Sequence, residues 1–421
     1  MQLTTAPVAF TGIAASLIDG GQTIHSKFGV PIPIQRDSIC RINAQSVEAD
    51  ALRAVSLIVW DEASMCSALI AECVDRFLKD ITGNPNTPFG GKCVVFAGDF
   101  RQTLPVVPNS EPAQAVRQSL KHSYLWHHVT KLRLTLNMRT LPEEREFADY
   151  LLRIGNGEEP TIRGDLVRVP NQCVIPENNS IIDFVYGKGA LTREKLDNAN
   201  RAILTTTNEE AFDINEATLV RMLYRGHNYK SIDEIVVEDD EQDIIPVEVA
   251  NSLTPNGYPQ HSLNLKEGAI VMLIRNLSIK DGLCNGTRLQ VVRCGVHSIR
   301  ATILFGVHSG KCFTFPRVHF HPNNEQMEVK LKRTQFPFRL AFSMTINKSQ
   351  GQTFDRIGIS LRDPVFAHGQ LYVAMSRVRA FAHLGLRVCQ VNTTHSVQGR
   401  IEGNEGIYTR NIVENSIFNN D

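Results

Sequence analysis

The sequence predicts an α/β fold with largely parallel sheets and a small β-rich insert. Apolar runs of four to eight residues alternate with helical patterns along most of the chain, as in sheets that are covered by helices on both faces. Between about residues 264 and 339 the strand candidates become shorter and closer together, with turn dipeptides at Asp281-Gly282, Asn285-Gly286 and Ser309-Gly310. This stretch predicts a small barrel inserted into the second of two α/β domains.

The individual elements follow from the same periodicity. Continuous apolar runs bounded by Asp, Gly or Thr predict strands at residues 55–60, 93–97, 202–205, 269–274, 289–293, 301–305 and 357–361. Helical patterns predict helices at residues 67–81, 142–154, 208–222 and 368–378. Pro142 suits the first turn of the second of these helices, because its missing N–H has no partner there in any case.

Composition excludes several classes of protein. The 421 residues are 42% hydrophobic and 21% charged, which is ordinary for a globular protein and excludes collagen-like, low-complexity and wholly disordered chains. No apolar run approaches the roughly 20 residues that span a bilayer, and the first residues lack the pattern of a secretory signal. The sequence therefore predicts a soluble intracellular protein.

Charge is segregated along a chain whose formal net charge is zero. Residues 264–348 carry thirteen Lys and Arg against four acidic residues, whereas residues 231–248 carry eight acidic residues and no Lys or Arg. The basic stretch fits either a partner with a phosphate backbone or the solvated face of a basic subdomain. The acidic run predicts a structureless solvent loop.

The strongest motif is the apolar strand at residues 56–60, which leads directly into Asp61 and Glu62. Ligands of open α/β sheets bind at the carboxyl ends of the strands. Phosphoryl transfer from a nucleotide needs one carboxylate to hold Mg²⁺ and a second group to orient and deprotonate the attacking water. Asp61 and Glu62 fit these two roles, although an Asp-Glu pair is also common in ordinary strand-to-helix loops.

Three more polar side chains fit the same chemistry. Gln102 follows the predicted strand at residues 93–97, where its amide can bind a γ-phosphate or the attacking water, and Asp99 can brace the same loop. Arg139 precedes a predicted helix, and Arg377 ends another. Arginine has a planar fork that matches phosphate oxygens and accelerates phosphoryl transfer by large factors, so both arginines are candidate catalytic residues.

These blocks, in this order, resemble the superfamily-one DNA helicases of the PIF (petite integration frequency) type. Residues 11–15 with 20–28 resemble the first DNA-contacting motif of that family, and residues 268–277 with 282–288 resemble its fifth motif. The sequences of residues 28–34, 89–105 and 342–353 are most similar to the helicase module of Helitron rolling-circle transposons. The resemblance covers most of residues 8–390.

The resemblance implies an α/β fold of two RecA-like parallel-sheet domains, the first incomplete, with a small β-barrel inserted in the second. The implied boundaries are residues 1–140 for the first domain, 141–263 and 336–392 for the second, 264–335 for the barrel and 393–421 for a C-terminal tail. ATP and Mg²⁺ are the implied cofactors. Asp61 would hold Mg²⁺, and the implied nucleotide contacts are Gln102, Arg139, Gly351 and Arg377.

The resemblance also implies DNA-contacting residues, namely Thr11, Gly12, His25, Phe28 and Lys348. Without it, His25 reads as a satisfied loop histidine and Lys348 as a residue that braces its loop. The family implies an ATP-dependent helicase that moves 5′ to 3′ on single-stranded and forked DNA. It further implies a nuclear location and a role in recombination, repair, telomere maintenance or, for the Helitron branch, transposition.

One expected motif is missing. The family's nucleotide chemistry begins with G-x-x-x-x-G-K-[ST], whose backbone N–H groups and Lys cradle the phosphates, and residues 1–421 contain no such sequence. We therefore expect an N-terminally truncated helicase that hydrolyses ATP slowly or not at all. Two alternatives stay open: a catalytically inactive remnant that binds single-stranded DNA, and a nucleotide-hydrolysing switch without a nucleic-acid partner.

Overall fold

The computed structural model describes residues 4–105, 112–176, 178–192, 196, 200–236, 247–255, 257–321, 330–392 and 397–418. The α-helices are α1 (Gly12–Ser16), α2 (Ile24–Phe28), α3 (Val47–Ala54), α4 (Ala68–Thr82), α5 (Pro112–Gln118), α6 (Arg145–Asn156), α7 (Ile181–Tyr186), α8 (Asn208–Val220), α9 (Val247–Ser252) and α10 (Gln370–Met375). Within these residues, no helix combines the length and the apolar composition needed to cross a membrane.

The strands are numbered in chain order. The first twelve are β1 (Thr5–Ala9), β2 (Gln22–Thr23), β3 (Leu57–Asp61), β4 (Cys93–Phe96), β5 (Thr161–Ile162), β6 (Leu166–Arg168), β7 (Arg201–Thr205), β8 (Gly226–Lys230), β9 (Ile232–Val236), β10 (Ser262–Lys266), β11 (Ile270–Leu273) and β12 (Arg288–Cys294). The others are β13 (Ile299–Ile303), β14 (Cys312–Phe315), β15 (Val318–Phe320), β16 (Lys330–Gln335), β17 (Phe338–Leu340), β18 (Ser343–Thr345), β19 (Arg356–Leu361), β20 (Leu384–Val388), β21 (Val391–Asn392), β22 (Val397–Gln398) and β23 (Tyr408–Arg410). Short 3₁₀ helices occur at Ala63–Met65, Pro88–Gly91, Leu120–His122, Tyr124–His128, Asn171–Cys173, Ile279–Asp281, Ile346–Ser349, Phe381–His383 and Asn415–Ile417.

Every predicted strand and helix is confirmed, with boundaries that differ by up to a few residues. Helix α6 begins at Arg145, three residues after Pro142, and α10 covers only six residues of the predicted 368–378 span. The prediction of a structureless acidic loop is wrong at its start, where Ile232–Val236 pairs with β16. The Ile and Val side chains there suit a strand in spite of the two acidic residues between them. The prediction is also wrong at the end of the run, where residues 247–248 begin helix α9. Residues 237–246 lie outside the described residues.

The chain forms two compact units. Unit 1 comprises residues 1–179, 204–207 and 345–421, and unit 2 comprises residues 180–203 and 208–344. These two compact units have other boundaries than the predicted domains. The division into two RecA-like domains, a barrel and a tail therefore stays a prediction.

Unit 1 contains a parallel sheet of order β2-β1-β3-β4. Ala9 pairs with Asp61 across β1 and β3, and Trp60 pairs with Phe96 across β3 and β4. Its core joins Trp60 to the apolar face of α4. Because the strands are parallel, the residues that follow β1, β3 and β4 meet at one edge of the sheet.

A second four-stranded sheet has the order β18-β7-β19-β20, with β19 and β20 parallel. A three-stranded sheet of order β23-β6-β5 joins the C-terminal strand β23 to β6, with Thr409 opposite Val167. Backbone hydrogen bonds therefore connect the C-terminal strand β23 to the earlier strand β6 of the same unit.

Unit 2 is rich in short antiparallel strands, as the turn dipeptides predicted. Its largest sheet has five strands in the order β14-β13-β12-β11-β17, and a further sheet has the order β15-β16-β9. The pairing of β12 with β13 shifts between Val291 and Arg293, which bends the strand locally.

Candidate active site

Two carboxylates lie where β3 ends. Asp61 is the last residue of the strand, and Glu62 follows it with a backbone φ of 51° in the left-handed region. The N–H of Glu62 donates to Oδ1 of Asp61 at 2.9 Å. A left-handed backbone is costly for a residue with a side chain, and such conformations cluster at functional sites. Here it turns the chain sharply into the Ala63–Met65 turn, so both carboxylates remain at the edge of the sheet.

The environment of Glu62 disfavours its charge. Burial raises the pKa of Glu62, and the neighbouring Asp61 raises it further, whereas Arg377 and Arg139 oppose both effects. The Oε2 atom of Glu62 is buried and has no hydrogen-bond partner among the described residues. A buried carboxylate oxygen with no donor is expensive, so this atom is suited to a ligand or water that supplies one.

The loop at residues 98–103 follows β4 at the same edge. A Cβ on Gly98 would lie 2.9 Å from the backbone N of Ser64, so only glycine allows this close approach. Asp99 braces the loop: its Oδ1 accepts from the N–H of Arg101 at 3.0 Å, and its backbone O accepts from the N–H of Gln102 at 3.0 Å. The Oε1 atom of Gln102 is buried without a donor among the described residues.

Arg377 is fully buried and follows α10. Its guanidinium donates to the carbonyl oxygens of Val373 and Gln352 and to Oγ of Ser376, at 2.9, 3.2 and 2.8 Å. It makes no ion pair with any described residue. Burial lowers the pKa of Arg377 to about 10, and the nearby Arg139 contributes to the decrease. Arg139 is exposed, and among the described residues its side chain makes one hydrogen bond, from Nη1 to the carbonyl oxygen of Ser376 at 3.2 Å.

The structure therefore brings four of the five predicted catalytic side chains close enough to influence one another's ionisation. Asp61, Arg139 and Arg377 all shift the pKa of Glu62, and Arg139 and Glu62 both shift the pKa of Arg377. Gln102 lies on the adjacent loop. Glu62 and Arg377 come from parts of unit 1 that are about 300 residues apart in the sequence, and Arg139 lies between them.

Three of the predicted DNA-contacting residues lie on two neighbouring segments. Thr11 caps α1, its Oγ1 accepting from the N–H of Ala14, and Gly12 is the first residue of that helix. A Cβ on Gly351 would lie 3.9 Å from Cβ of Ala14, so the turn that carries the exposed Lys348 runs beside α1. Gly351 has a φ of +75°, which favours glycine.

The other two predicted DNA contacts differ in accessibility. His25 is half-buried, its Nδ1 lies 3.3 Å from the carbonyl oxygen of Val30, and burial lowers its pKa. Phe28 is fully buried in the core with Trp60. Its ring has no face available to stack on a base, because it fills the space under the sheet, and we leave it out of the proposed DNA contacts.

Sequence reasoning missed three supports of the site. Tyr372 is half-buried and donates from its hydroxyl to Oδ2 of Asp99 at 2.9 Å. The Oγ1 of Thr103 donates to Oε1 of Gln350 at 2.7 Å. His368 contacts the same loop. The motifs contain or adjoin these residues, but nothing in the spacing distinguishes them from core side chains.

The residues present fit a magnesium nucleotide. No group of three or more His, Cys, Asp or Glu suited to a metal occurs in the part of the chain that the structure describes. Mg²⁺ in nucleotide sites is normally held by one or two carboxylates and the phosphates, so Asp61 alone is a sufficient protein ligand. Among the described residues, Oε2 of Glu62 and Oε1 of Gln102 have no donor and are acceptors suited to a water molecule, and the guanidinium of Arg377 contacts only neutral oxygens.

Two family models match the chain. The model described as PIF1-like helicase matches residues 2–164, and that of the 2B domain of DNA helicase Pif1 matches residues 248–294. Over these residues the chain is similar to PIF1-like helicases. The human ATP-dependent DNA helicase PIF1 is 29% identical over 393 residues, covering 91% of this chain and 54% of the human protein. The enzyme of Psychrobacter is 28% identical over 437 residues, covering 91% and 61%.

Solved structures of Pif1 helicases have the same fold. A structure that describes unwinding of forked double-stranded DNA by two coordinating Pif1 helicases has a TM-score of 0.66 and 26% identity, covering 92% of this chain and 82% of that one. The Bacteroides Pif1 helicase in complex with ADP-AlF3 and single-stranded DNA has a TM-score of 0.66 and 25% identity, covering 92% and 83%. The chain spans about half the length of the curated relatives it matches.

Proposed function

We propose that this PIF1-like chain uses ATP and Mg²⁺ to move 5′ to 3′ along single-stranded DNA and to unwind duplex at forks. Two observations carry the proposal: among the described residues, the buried Oε2 of Glu62 has no donor, and the buried Arg377, which influences the charge of Glu62, has no anionic partner. These features support Glu62 as the acceptor for the attacking water and Arg377 as a donor to phosphate oxygens.

Each side chain has one role in this proposal. ATP bound with Mg²⁺ supplies the phosphoryl group to be transferred. Asp61 holds the metal, Glu62 accepts the proton of the attacking water, and Gln102 orients that water. The raised pKa of Glu62 suits a base, since a basicity closer to neutrality favours proton transfer.

The two arginines stabilise negative charge on the phosphoryl oxygens. Arg377 is pre-positioned by its three hydrogen bonds, so little reorganisation is needed when the charge develops. The exposed side chain of Arg139 makes a single hydrogen bond among the described residues, which suits a group that engages the nucleotide only when it binds. Gly351 would approach the nucleotide or the DNA through its backbone.

The proposed DNA contacts are Thr11, Gly12, His25 and Lys348. The proximity of α1 to the turn that carries Lys348 supports a continuous contact surface. A nuclear location and a role in repair, recombination, telomere maintenance or transposition belong to the same proposal. Imaging of the tagged protein would test the location.

We further propose that residues 1–421 hydrolyse ATP slowly, because they contain no G-x-x-x-x-G-K-[ST] sequence. Each charge-assisted hydrogen bond lost with such a cradle is worth ~1.5–3 kcal/mol. The test is phosphate release by the full chain with and without single-stranded DNA, next to a full-length relative. The expected result is DNA-stimulated release that is abolished by Glu62→Gln and is well below the rate of the relative.

Binding of single-stranded DNA is measured in parallel at several salt concentrations. Salt-sensitive DNA binding with no phosphate release above the Glu62→Gln background would select the inactive DNA-binding remnant. Phosphate release without DNA binding at low salt would select a nucleotide switch. Turnover equal to that of the relative would contradict the proposed impairment.

A further inference from the structure

His368 contacts the backbone of the 98–103 loop and has no role in the proposed chemistry. It is 4% exposed and precedes α10 by two residues. Its Nε2 lies 2.8 Å from the carbonyl oxygen of Phe100, and its Nδ1 lies 2.9 Å from the backbone N of Glu414. One imidazole thus joins the loop that carries Gln102 to the C-terminal part of the chain.

The two partners determine the tautomer of His368. A backbone N–H can only donate, so Nδ1 accepts from Glu414 and carries no proton. A carbonyl oxygen can only accept, so Nε2 carries the proton and donates to Phe100. The imidazole is therefore neutral, and burial lowers its pKa in agreement with that state. The charged groups that face it are Asp99 on the loop and Glu414 on the C-terminal segment.

The C-terminal segment, residues 411–418, is anchored against the same loop at further points. The carbonyl oxygen of Ile412 accepts from the N–H of Gly369 at 3.0 Å. The buried ammonium of Lys121 donates to the carbonyl oxygen of Ile417 at 2.7 Å and lies 4.7 Å from the centroid of the Phe100 ring. Ile417 also packs in one apolar cluster with Leu104, at the end of the loop.

The turn after His368 touches the loop backbone directly. A Cβ on Gly369 would lie 2.2 Å from the carbonyl oxygen of Arg101 and 2.8 Å from the carbonyl carbon of Gln102. Main chain therefore packs on main chain with no side chain between them. A displacement of His368 would move the backbone of Gln102 with it, since close-packed backbone does not absorb such shifts.

We propose that His368 is a positioning residue for Gln102 and couples the C-terminal segment at residues 411–418 to the 98–103 loop. The inference rests on the proposed function, in which Gln102 orients the attacking water. Residues 411–418, for which the sequence predicted only a tail, then belong to the machinery of hydrolysis. Loss of the Phe100 bond would loosen the loop and slow turnover while leaving the nucleotide affinity nearly unchanged.

The test compares three variants of the full chain. His368→Leu removes both hydrogen bonds, His368→Asn retains an acceptor near Nδ1, and His368→Gln retains a donor near Nε2. The exposed His127→Asn is the matched control. For His368→Leu we expect a fall in kcat of about 10- to 100-fold with KM within about twofold, since small displacements of catalytic groups have effects of this size. His368→Gln should recover most of the rate, and His368→Asn should not.

Hydrogen exchange of the ligand-free chain provides a readout that is independent of activity. We expect the amides of residues 98–103 to exchange about tenfold faster in His368→Leu than in the wild type or in His127→Asn. Exchange and kcat equal to wild type in folded His368→Leu would overturn the inference. If the wild type releases no phosphate, the proposed function fails, and the exchange rates alone decide whether His368 holds the loop.

Discussion

Arg333 in unit 2 and Arg377 in unit 1 are both fully buried, but the partners of their guanidinium groups differ. Arg333 donates to both carboxylate oxygens of Asp233, at 2.8 and 2.6 Å, and to the carbonyl oxygens of Pro259 and Ala250. Arg377 donates only to neutral oxygens, and no described carboxylate pairs with it.

This difference indicates that Arg333 stabilises the fold, whereas Arg377 is suited to bind an anionic ligand. A buried charge without a counter-charge is costly, whereas a buried pair with its hydrogen bonds satisfied is close to balanced. The positive charge of Arg333 is compensated by Asp233. The charge of Arg377 is compensated fully only when an anion binds. Glu62 is the carboxylate that influences Arg377 most, and burial disfavours its ionised form.

The largest expected effect is that of Arg377→Lys on turnover. Lysine keeps the charge but lacks the planar fork, so kcat for phosphate release should fall by about 10³- to 10⁵-fold, the range for a catalytic arginine. The exposed Arg379→Lys is the matched control and should retain the wild-type rate. A kcat within tenfold of wild type for Arg377→Lys would place Arg377 with Arg333 as a purely structural residue.

Glu62→Gln should reduce kcat by about 10²- to 10⁴-fold, the usual contribution of a general base. The amide cannot accept the proton of the attacking water, but it has nearly the same shape, so the fold is preserved. Phosphate release in the presence of single-stranded DNA is the measurement, with the exposed Glu48→Gln as control. Retained turnover would remove Glu62 from the mechanism.

Arg333→Leu should instead destabilise the fold, by about 3–5 kcal/mol, because the buried carboxylate of Asp233 loses its guanidinium partner and keeps only the Ser231 hydroxyl and the His261 imidazole nearby. Denaturant unfolding gives the free energy, and the double variant Arg333→Leu/Asp233→Leu should recover most of the loss. The turnover per folded molecule should match wild type. A loss below 1 kcal/mol in the single variant would show that the buried pair is not what holds this sheet.

The smallest expected effect is an opposite pH dependence of stability at the two sites. The pKa of Glu62 is raised, so its contribution to stability is present below the pKa of an unfolded Glu, ~4.3, and is lost as pH rises through the folded value. Burial opposes the ionisation of Asp233, but Arg333 outweighs it and lowers the pKa. The stability from Asp233 is therefore present above ~3.9 and is lost at lower pH.

Melting temperatures of two variants test these signs. Glu62→Gln should raise Tm by about 1–2 °C at pH 7 and have no effect near pH 4, whereas Asp233→Asn should lower Tm at pH 7 and have a decreasing effect in acid. Equal pH profiles for the two variants would contradict the contrast between the sites.

The sequence predicts the strands and the carboxylate edge because both are local. A continuous apolar run that ends in Asp61-Glu62 already defines a buried strand and the residues at its carboxyl end. Gln102, Arg139 and Arg377 likewise became candidates from their motifs, and their roles stay predictions.

Contacts between distant segments left no such signal. The resemblance implied Phe28 as a DNA contact, yet the packing of α2 buries it completely. The bonds of Tyr372 to Asp99 and of Thr103 to Gln350 join residues more than 200 positions apart, and His368 reaches two segments at once. Only the tertiary structure determines these partners.

The most direct test of the convergence of Glu62 and Arg377 on a triphosphate is the affinity of the full chain for a fluorescent, non-hydrolysable ATP analogue with Mg²⁺. Arg377→Lys should weaken binding by about tenfold, since a charge-assisted hydrogen bond is lost. Glu62→Gln should bind as tightly as wild type or more tightly, because a negative charge beside the phosphates is removed. Equal affinities of the wild type, Arg377→Lys and Glu62→Gln for the analogue would contradict the convergence of Glu62 and Arg377 on a triphosphate.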